Sequence, residues 1–311
     1  MTKAPLHAIP VKVETLEKLP PNRQRMPEWI RTSLSSDVSY SSTARTVNQQ
    51  HLNTVCEEAR CPNRGECWSR GTATLMLLGD TCTRACGFCN VKTGRPPEYD
   101  LDEPRRVAEA VKSMALQYLV LTSVNRDELA DGGAFIFAET LRLLREQQPD
   151  IGLEILTPDF RECQQNAIEV IYQAVELGLT QHATTLVWGH NIETVPSLYQ
   201  SARKGAKYQR SLDLLKQASQ CVGIESKSAI MLGLGEQEHE VLQTLEDLRQ
   251  HGVARIAIGQ YLRPSRQHLP VEAYVHPDKF TWYGEQAEAM GFSWVKSGSM
   301  VRSSYHAEES F

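Results

Sequence analysis

No stretch of about 18 consecutive apolar residues occurs in this sequence of 311, so it holds no candidate for a membrane-spanning helix. Its opening, Met1-Thr-Lys-Ala-Pro-Leu-His-Ala8, lacks the apolar h-region of about 7–15 residues that a secretory signal needs. A surplus of positive charge is missing as well: 33 basic residues face 38 acidic ones, for a formal net charge of −5. That balance argues against phosphate-driven binding of nucleic acid over the whole surface and leaves room only for a local basic patch. No repeat recurs at the roughly 20–50-residue period of a solenoid or propeller. The expectation is a soluble, cytoplasmic chain with no membrane or nucleic-acid partner, long enough for one barrel-sized domain or two smaller ones.

Histidine is missing where cysteine is concentrated. Six of the eight cysteines lie between Cys56 and Cys89, in two triplets, Cys56-x4-Cys61-x5-Cys67 and Cys82-x3-Cys86-x2-Cys89. In a reducing compartment, clustered cysteines bind metal more often than they pair as disulfides. A structural zinc loop normally draws four protein ligands from C-x2-4-C or H-x3-5-H pairs, and the loop from Cys82 to Cys89 has only three cysteines and no histidine. Three thiolates this close can instead cap three corners of a cubane iron–sulfur cluster and leave its fourth iron open to a ligand that is not protein. Cys163 and Cys221 stand outside both triplets and read as small buried thiols, not ligands.

The first 50 or so residues, with prolines at 5, 10, 20, 21 and 27 and a serine-rich run from Ser33 to Ser42, read as an extended arm with one short helix at Pro27-Glu-Trp-Ile-Arg-Thr. From about residue 73 apolar strands alternate with amphipathic helices. The strands expected are Ala73–Leu78, Tyr118–Ser123, Leu153–Thr157, His182–Trp188, Ala229–Leu232 and Arg255–Gly259, with a late short one at Phe292–Val295. Helical faces are marked by Val107, Val111 and Met114, by Phe137, Leu141 and Leu144, by Ile168, Ile171 and Val175, and later by leucines 212, 215, 242, 245 and 248. Six βα units imply a parallel sheet, doubly wound or curled into a barrel. The polar or glycine-rich stretches all follow strands, at Gly79–Cys82, Ser123–Asp127, Thr157–Asp159, Gly189–Asn191, Gly233–Glu236 and Gly259–Tyr261. In a parallel barrel these loops converge on the C-terminal mouth, where ligands bind. The fold expected is therefore α/β, a partial (β/α)6 TIM-type barrel over residues 73–296. Residues 1–72 form the arm and first cysteine segment, and 297–311 form a C-terminal tail.

Cys82-x3-Cys86-x2-Cys89, with aromatic Phe88 before the last cysteine, resembles the cluster loop of the radical S-adenosylmethionine enzymes. The resemblance implies a [4Fe-4S] cluster on these three cysteines whose open iron binds S-adenosylmethionine and cleaves it to a 5′-deoxyadenosyl radical. The upstream triplet, within Cys56-Glu-Glu-Ala-Arg-Cys61-Pro-Asn-Arg-Gly-Glu-Cys67-Trp, and the late Arg302-Ser-Ser-Tyr-His-Ala307 resemble the lipoyl synthase family. Further stretches match it in order, among them Thr122-Ser-Val-Asn-Arg-Asp127, Glu154-Ile-Leu-Thr-Pro-Asp-Phe160, Tyr208-Gln-Arg-Ser211 and Met231-Leu-Gly-Leu-Gly-Glu236, so the likeness runs from about Val13 to Ala307. It implies a second, auxiliary [4Fe-4S] cluster on Cys56, Cys61 and Cys67, with a serine as fourth ligand, mapped to Ser304 with Ser303 as the alternative. A hard oxygen suits cluster iron less well than thiolate does, so the serine is the corner able to let go when sulfide leaves. Departures stand at Gly189 and Trp188, across Gln173–Val187, at Arg263 where glutamine is common, and at Asn125 where aspartate is frequent.

The implied reaction inserts two sulfur atoms, at C6 and C8 of an octanoyl group carried on a lysine. The carrier would be a lipoyl domain, an E2 subunit or glycine-cleavage H protein, and the electrons would come from a donor such as ferredoxin or flavodoxin. Cofactor contacts are expected from Phe88, Gly132, Gly133, Glu154, His190, Asn191, Glu193 and Arg203; Glu154, His190 and Glu193 sit at or just past strand ends, where a polar side chain in a barrel tends to face the mouth. Asp131-Gly-Gly also reads as a plain turn before a helix, or as glycines that let backbone approach a ligand. Arg203, Lys204, Lys207 and Arg210 form a basic cluster, either a solvated face or a dock for an acidic carrier. The rival readings are a biotin-synthase-like enzyme or methylthiotransferase, which would place auxiliary ligands elsewhere, and a non-enzymatic two-cluster protein, which hardly needs six βα units with polar loops at one mouth.

Overall fold

Seven strands lie side by side in one sheet, in the order in which the chain makes them. The computed structural model describes residues 26–30, 45–47, 50, 52–58, 61–70, 72–96, 98–114, 116–179 and 186–310. Its strands are β1 (Asn53–Thr54), β2 (Thr72–Leu77), β3 (Thr81–Cys82), β4 (Lys92–Thr93), β5 (Tyr118–Ser123), β6 (Gly152–Leu156), β7 (Leu186–Gly189), β8 (Ile224–Leu232), β9 (Arg255–Gln260) and β10 (Trp294–Gly298). β2 and then β5 to β10 are parallel neighbours in chain order, β1 runs antiparallel on the outer edge of β2, and β3 pairs with β4 apart from the sheet. A doubly wound sheet reverses its strand order at a switch point. This one never reverses, as in a barrel, and among the described residues β10 does not pair back to β1 or β2, so the barrel is partial.

Strand faces alternate as the pleat requires. One face of β2, β5 and β6 sends Leu75, Leu77, Leu119, Leu121 and Ile155 into a core with Phe137, Leu141 and Ile171 of the covering helices Ala134–Gln147 and Gln164–Leu179. Ile230, Ile256 and Ile258 pack similarly against Leu245, Leu248 and Phe280 of Glu238–Gln250 and Pro277–Ala289. Each such side chain contributes roughly 1.5–3 kcal/mol by leaving water.

The barrel interior is more polar. Lys227 Nζ lies 2.7 Å from Glu154 Oε2, both buried, and Tyr118 donates its hydroxyl to the same oxygen at 3.2 Å. Glu154 is thus the partner of a buried lysine and not a mouth-facing group, a correction with a simple cause: it sits mid-strand, paired with Val120 and Val187, below the strand end. The same polarity explains why β8 begins at Ile224, five residues before the expected Ala229. Glu225 and Lys227 face the interior with ionic partners, and Ser226 and Ser228 donate to the carbonyls of Gly252 and His190, so the apolar alternation is hidden. β10 is a full seventh parallel strand, displaced past Phe292, whose ring stays in the core beneath Arg249. Met26–Ile30 forms a turn closed by Ile30 N–H on the Pro27 carbonyl where a helix was expected, and Arg45–Val47 is helical within the expected arm. The first part of the expected strand His182–Trp188, and most of the expected arm, lie outside the described residues.

The C-terminal tail packs inside the barrel. Val301 meets Ala229 and Ala257, and Ala307 meets Tyr118 and Val120. Gly259 makes room: a Cβ there would lie 2.1 Å from the Val301 carbonyl oxygen. Farther on, Arg70 and Thr72 hold Glu308, and Glu66 holds Tyr305 and His306. Boundaries at 72/73 and 296/297 fall within β2 and β10, so arm, barrel and tail are units of sequence more than of structure. Gly259→Ala is expected to lower the unfolding free energy by about 1–3 kcal/mol, the usual cost of overpacking; unchanged denaturant melting would show that the tail does not cross at Gly259.

Candidate functional site

β2 hands over to the Cys82–Cys89 loop through a strained turn. Leu78 and Gly79 both take positive φ, 68° and 86°. Glu103, in the first turn of helix Glu103–Met114, accepts the Leu78 N–H at 2.8 Å, and Arg126 donates to the Leu78 carbonyl at 3.1 Å. Beyond the turn, the backbone N–H groups of Arg84 and Asn125 both point at Cys82 Sγ, each at 3.4 Å. Asn125 acts through its backbone, so its departure from aspartate costs nothing there. Gly87 is clamped from two sides: its N–H donates to the Ala202 carbonyl and its own carbonyl accepts from Leu269 N–H, both at 2.8 Å.

Arg84, between the first two cysteines, is buried and bidentate on Asp127 at 2.8 and 2.7 Å, with Nη2 also 2.6 Å from Asp159. Arg210 reaches the other Asp159 oxygen at 3.1 Å. Burial alone would raise the Asp159 carboxyl, but Arg84 outweighs it and holds it down to about 2. Arg84, Asp127 and Asp159 were not singled out from the sequence as site residues. The available signal was one arginine inside the cysteine loop and two aspartates closing family-matched stretches after β5 and β6.

Arg203, Asn191 and Glu193 come to the same loop from the segment after β7. Arg203 is buried; its Nη1 donates to the Asn191 carbonyl, the Tyr199 hydroxyl and Ser211 Oγ, while its Nε has no hydrogen-bond partner among the described residues. Asn191 donates its amide to Glu193 at 3.1 Å, and burial raises the Glu193 carboxyl. Burial pushes the Cys86 thiol up to about 11, with Arg203 pulling it down and Glu193 up, and pushes Cys89 up to about 12. Thiols so placed ionise readily only against added positive charge, which fits ligation of metal. Phe88 is half-buried beside them.

Other expected contacts are re-sorted. His190 is buried with Nδ1 2.8 Å from the Thr157 carbonyl and Nε2 2.9 Å from Ser211 Oγ. A carbonyl only accepts, so Nδ1 carries the proton and Nε2 accepts from Ser211. Neither nitrogen is left for a cofactor, and His190 instead orients Ser211 and, through it, Arg203. Gly132 and Gly133 pack where side chains would collide, with Phe160 Cδ1 2.9 Å and Leu78 Cδ1 2.2 Å from their absent Cβ atoms, while Asp131 caps the helix at Gly133 and Phe135 N–H. Packing accounts for both glycines. Gly132 borders a cavity of about 440 Å³ between the loops after β5 and β6, shared with Arg126, Asp127, Phe160 and Cys163. Trp188 packs in the core and donates to Thr157 Oγ1. The basic cluster dissolves, since Arg203 is buried and Arg210 is paired, leaving Lys204 and Lys207 exposed.

Of the other triplet, Cys56 and Cys67 lie on two short helices, Val55–Glu58 and Arg64–Ser69, and Cys61 stands between them with its N–H donating to the Cys56 carbonyl. Cys56, Cys61 and Cys67 border a largely apolar cavity of about 350 Å³ together with Ser303 and Ser304, more than 200 residues away in the chain. Both serines line it, and the distinction between them stays open. Burial pushes the Cys56 thiol up to about 12 and raises Cys67 as well, and the half-buried Arg302 lies in the field of Cys61. Among the described residues no three ligating side chains converge as on a single ion; these cysteines border a volume, and their soft donors suit a cluster. Asn90 Nδ2 donates to the Glu58 carbonyl at 2.7 Å, tying the two cysteine segments together.

His190, lowered to about 4 chiefly by burial, gives a pH signature. Its folded value lies below the unfolded value near 6.5, so the unfolded chain binds the proton first and stability falls as pH drops from about 6.5 to 4, by roughly 2–3 kcal/mol. In His190→Asn, whose amide can still donate to Thr157, denaturation midpoints should fall less over that range; an equal fall would show that this ring does not titrate as its burial demands.

The chain as a whole is similar to known proteins. The Radical SAM superfamily pattern matches residues 76–248, and that of the N-terminal domain of lipoyl synthase matches residues 11–61. The lipoyl synthase of Rubrobacter xylanophilus is 50% identical over 92% of this chain and 87% of its own length. That of Stutzerimonas stutzeri is 46% identical over 97% and 89%. Among solved structures, Streptococcus suis SuiB superposes with a TM-score of 0.53 at 12% identity, over 75% of this chain and 52% of its own. Methylornithine synthase gives 0.50 at 11%, over 84% and 82%. These two share the fold.

Proposed function

The chain belongs to the lipoyl synthase family of the radical SAM superfamily, and from that premise we propose which of its residues do the work. It is a sulfur-inserting enzyme that uses S-adenosylmethionine and [4Fe-4S] clusters to convert a protein-bound octanoyl group to lipoyl. Cys82, Cys86 and Cys89 hold the cluster that binds S-adenosylmethionine, and Cys56, Cys61, Cys67 and Ser304 hold the auxiliary one. The carrying observation is that the first cysteine triplet and the Arg302–Tyr305 tail line one cavity.

When bound, the clusters and S-adenosylmethionine supply the radical that takes hydrogen from carbon and the sulfur that replaces it. The rest falls to this chain's own side chains. Arg84, Asp127 and Asp159 fix the loop; Arg203, held by Tyr199 and Ser211, keeps a buried Nε donor and a positive charge beside Cys86, suited to a carboxylate; Glu193 and Asn191 offer the complementary acceptors. The apolar wall of the auxiliary cavity, including Val55, Leu156 and Leu262, suits an acyl chain and excludes water from the radical. The carrier is an octanoylated lipoyl domain, of an E2 subunit or an H protein, and a ferredoxin or flavodoxin supplies electrons. No helix among the described residues is long and apolar enough to cross a membrane, in keeping with a cytoplasmic enzyme.

Anaerobic reconstitution should give about eight irons per chain, four for each cubane, and replacing either cysteine triplet by alanine should leave about four. With reductant, S-adenosylmethionine and an octanoylated carrier, the wild type should yield 5′-deoxyadenosine and lipoyl product; no deoxyadenosine would end this reading. Ser304→Ala should still form deoxyadenosine and lose product, with Ser303→Ala retaining both. The reverse pattern would move the ligand to Ser303.

A further inference from the structure

The loop after β9 touches both cysteine sites. Leu262, Arg263 and Pro264 border the cavity of the Cys56 triplet. A few residues on, His268 Nε2 lies 2.9 Å from the Cys89 carbonyl, and Leu269 N–H donates to the Gly87 carbonyl at 2.8 Å. The carbonyl requires the Nε2 proton, and Nδ1, 2.9 Å from Ser265 Oγ, is held in place by that hydroxyl. Gly87 permits the approach, because a Cβ there would stand 2.9 Å from Leu269 Cγ.

Arg263 joins the two ends. While bordering the cavity it donates Nε to the His268 carbonyl at 2.9 Å and Nη2 to the Arg266 carbonyl at 2.6 Å. Tyr261 donates its hydroxyl to the Leu269 carbonyl at 2.8 Å. The loop is therefore cross-linked within itself, and its cavity end cannot shift without moving its Cys89 end.

We propose that Arg263 and His268 are positioning residues of a brace that sets the radical-generating loop at a fixed distance from the acyl cavity. The inference rests on the function proposed above and adds to it a means of registering its two centres. A radical made at one site must meet a C–H bond at the other before it is quenched, and a misplacement of about 1 Å can cost on the order of 10²-fold. The brace thus governs how much cofactor is cleaved per sulfur inserted.

The test compares His268→Ala, His268→Gln and Arg263→Ala in the full chain, reading the ratio of 5′-deoxyadenosine to product and the hydrogen exchange of residues 82–94. His268→Ala should raise the ratio several-fold and speed exchange at 82–94 while leaving 56–67 unchanged. His268→Gln, which keeps an N–H donor, should return both toward wild type, and Arg263→Ala should raise the ratio with His268 intact. A merely structural lesion lowers deoxyadenosine and product together. Unchanged ratio and exchange in His268→Ala, or a glutamine variant no better than alanine, would overturn the brace; if His268→Ala does not fold, Arg263→Ala decides by the same ratio. A wild type that makes neither compound defeats the functional reading instead, so the two failures are distinct.

Discussion

Arg84 carries its charge into a place that water hardly reaches, and the site depends on that charge being answered. Its guanidinium is shared by Asp127 and Asp159, and Asp159 is answered again by Arg210. A buried ion stripped of its partner costs about 3–5 kcal/mol, so the network forms as a whole. Arg84 lies within the cysteine loop, Asp127 follows β5, Asp159 follows β6, and Arg210 stands in the first turn of the helix Tyr208–Ser219. Four separate pieces of chain are brought to one point by one desolvation penalty. The same penalty acts on the thiols nearby, where burial disfavours the thiolate. What makes the ion pairs obligatory also leaves the sulfurs in want of a cation.

A partial barrel has an open side, and here its own tail fills the interior. Arg70 with Glu308 and Glu309, and Lys296 with Glu309, are pairs at the surface, where each is worth about 0–1 kcal/mol. They guide the tail but do not hold it. Val301 and Ala307, with the gap left by Gly259, do more, because apolar burial is not screened by salt. The cavity of the first cysteine triplet thus owes its tail wall to packing in the barrel interior and not to the triplet's own two short helices.

The strand pattern was legible wherever one face was uniformly apolar, as in β2, β5 and β9. It failed in β8 because Lys227 is buried and half-buried Glu225 is ion-paired, each with a partner from another strand, and a single sequence does not show who those partners are. Loop chemistry was legible where ligands are neighbours in the chain, as with Cys82, Cys86 and Cys89. His190 was placed at the right end of the right strand and Glu154 on the right strand but too near its end, and their surroundings turn them inward to Ser211 and Lys227. The meeting of Ser303 and Ser304 with the first triplet follows from tail packing over more than 200 residues. No local periodicity encodes it; only family resemblance pointed there.

Strain is distributed in the same way. Among the described residues four non-glycines take positive φ: Leu78, Phe160, Glu193 and His306. Such conformations cost about 1–3 kcal/mol each and persist only where surroundings over-determine them. Three follow β2, β6 and β7 at the mouth, and His306 stands in the tail against Glu66. Leu78 shows how the cost is met. The chain must leave β2 and enter the cysteine loop within two residues, and the Leu78 N–H is satisfied by Glu103, whose own carboxyl is raised by burial. Glu103 belongs to the next helix and Arg126, on the Leu78 carbonyl, to the loop after the next strand. The strained turn therefore has its partners only once β2, that helix and β5 have closed on one another. The cysteine loop takes its shape from the finished βαβ unit, and the three cysteines by themselves would not impose it.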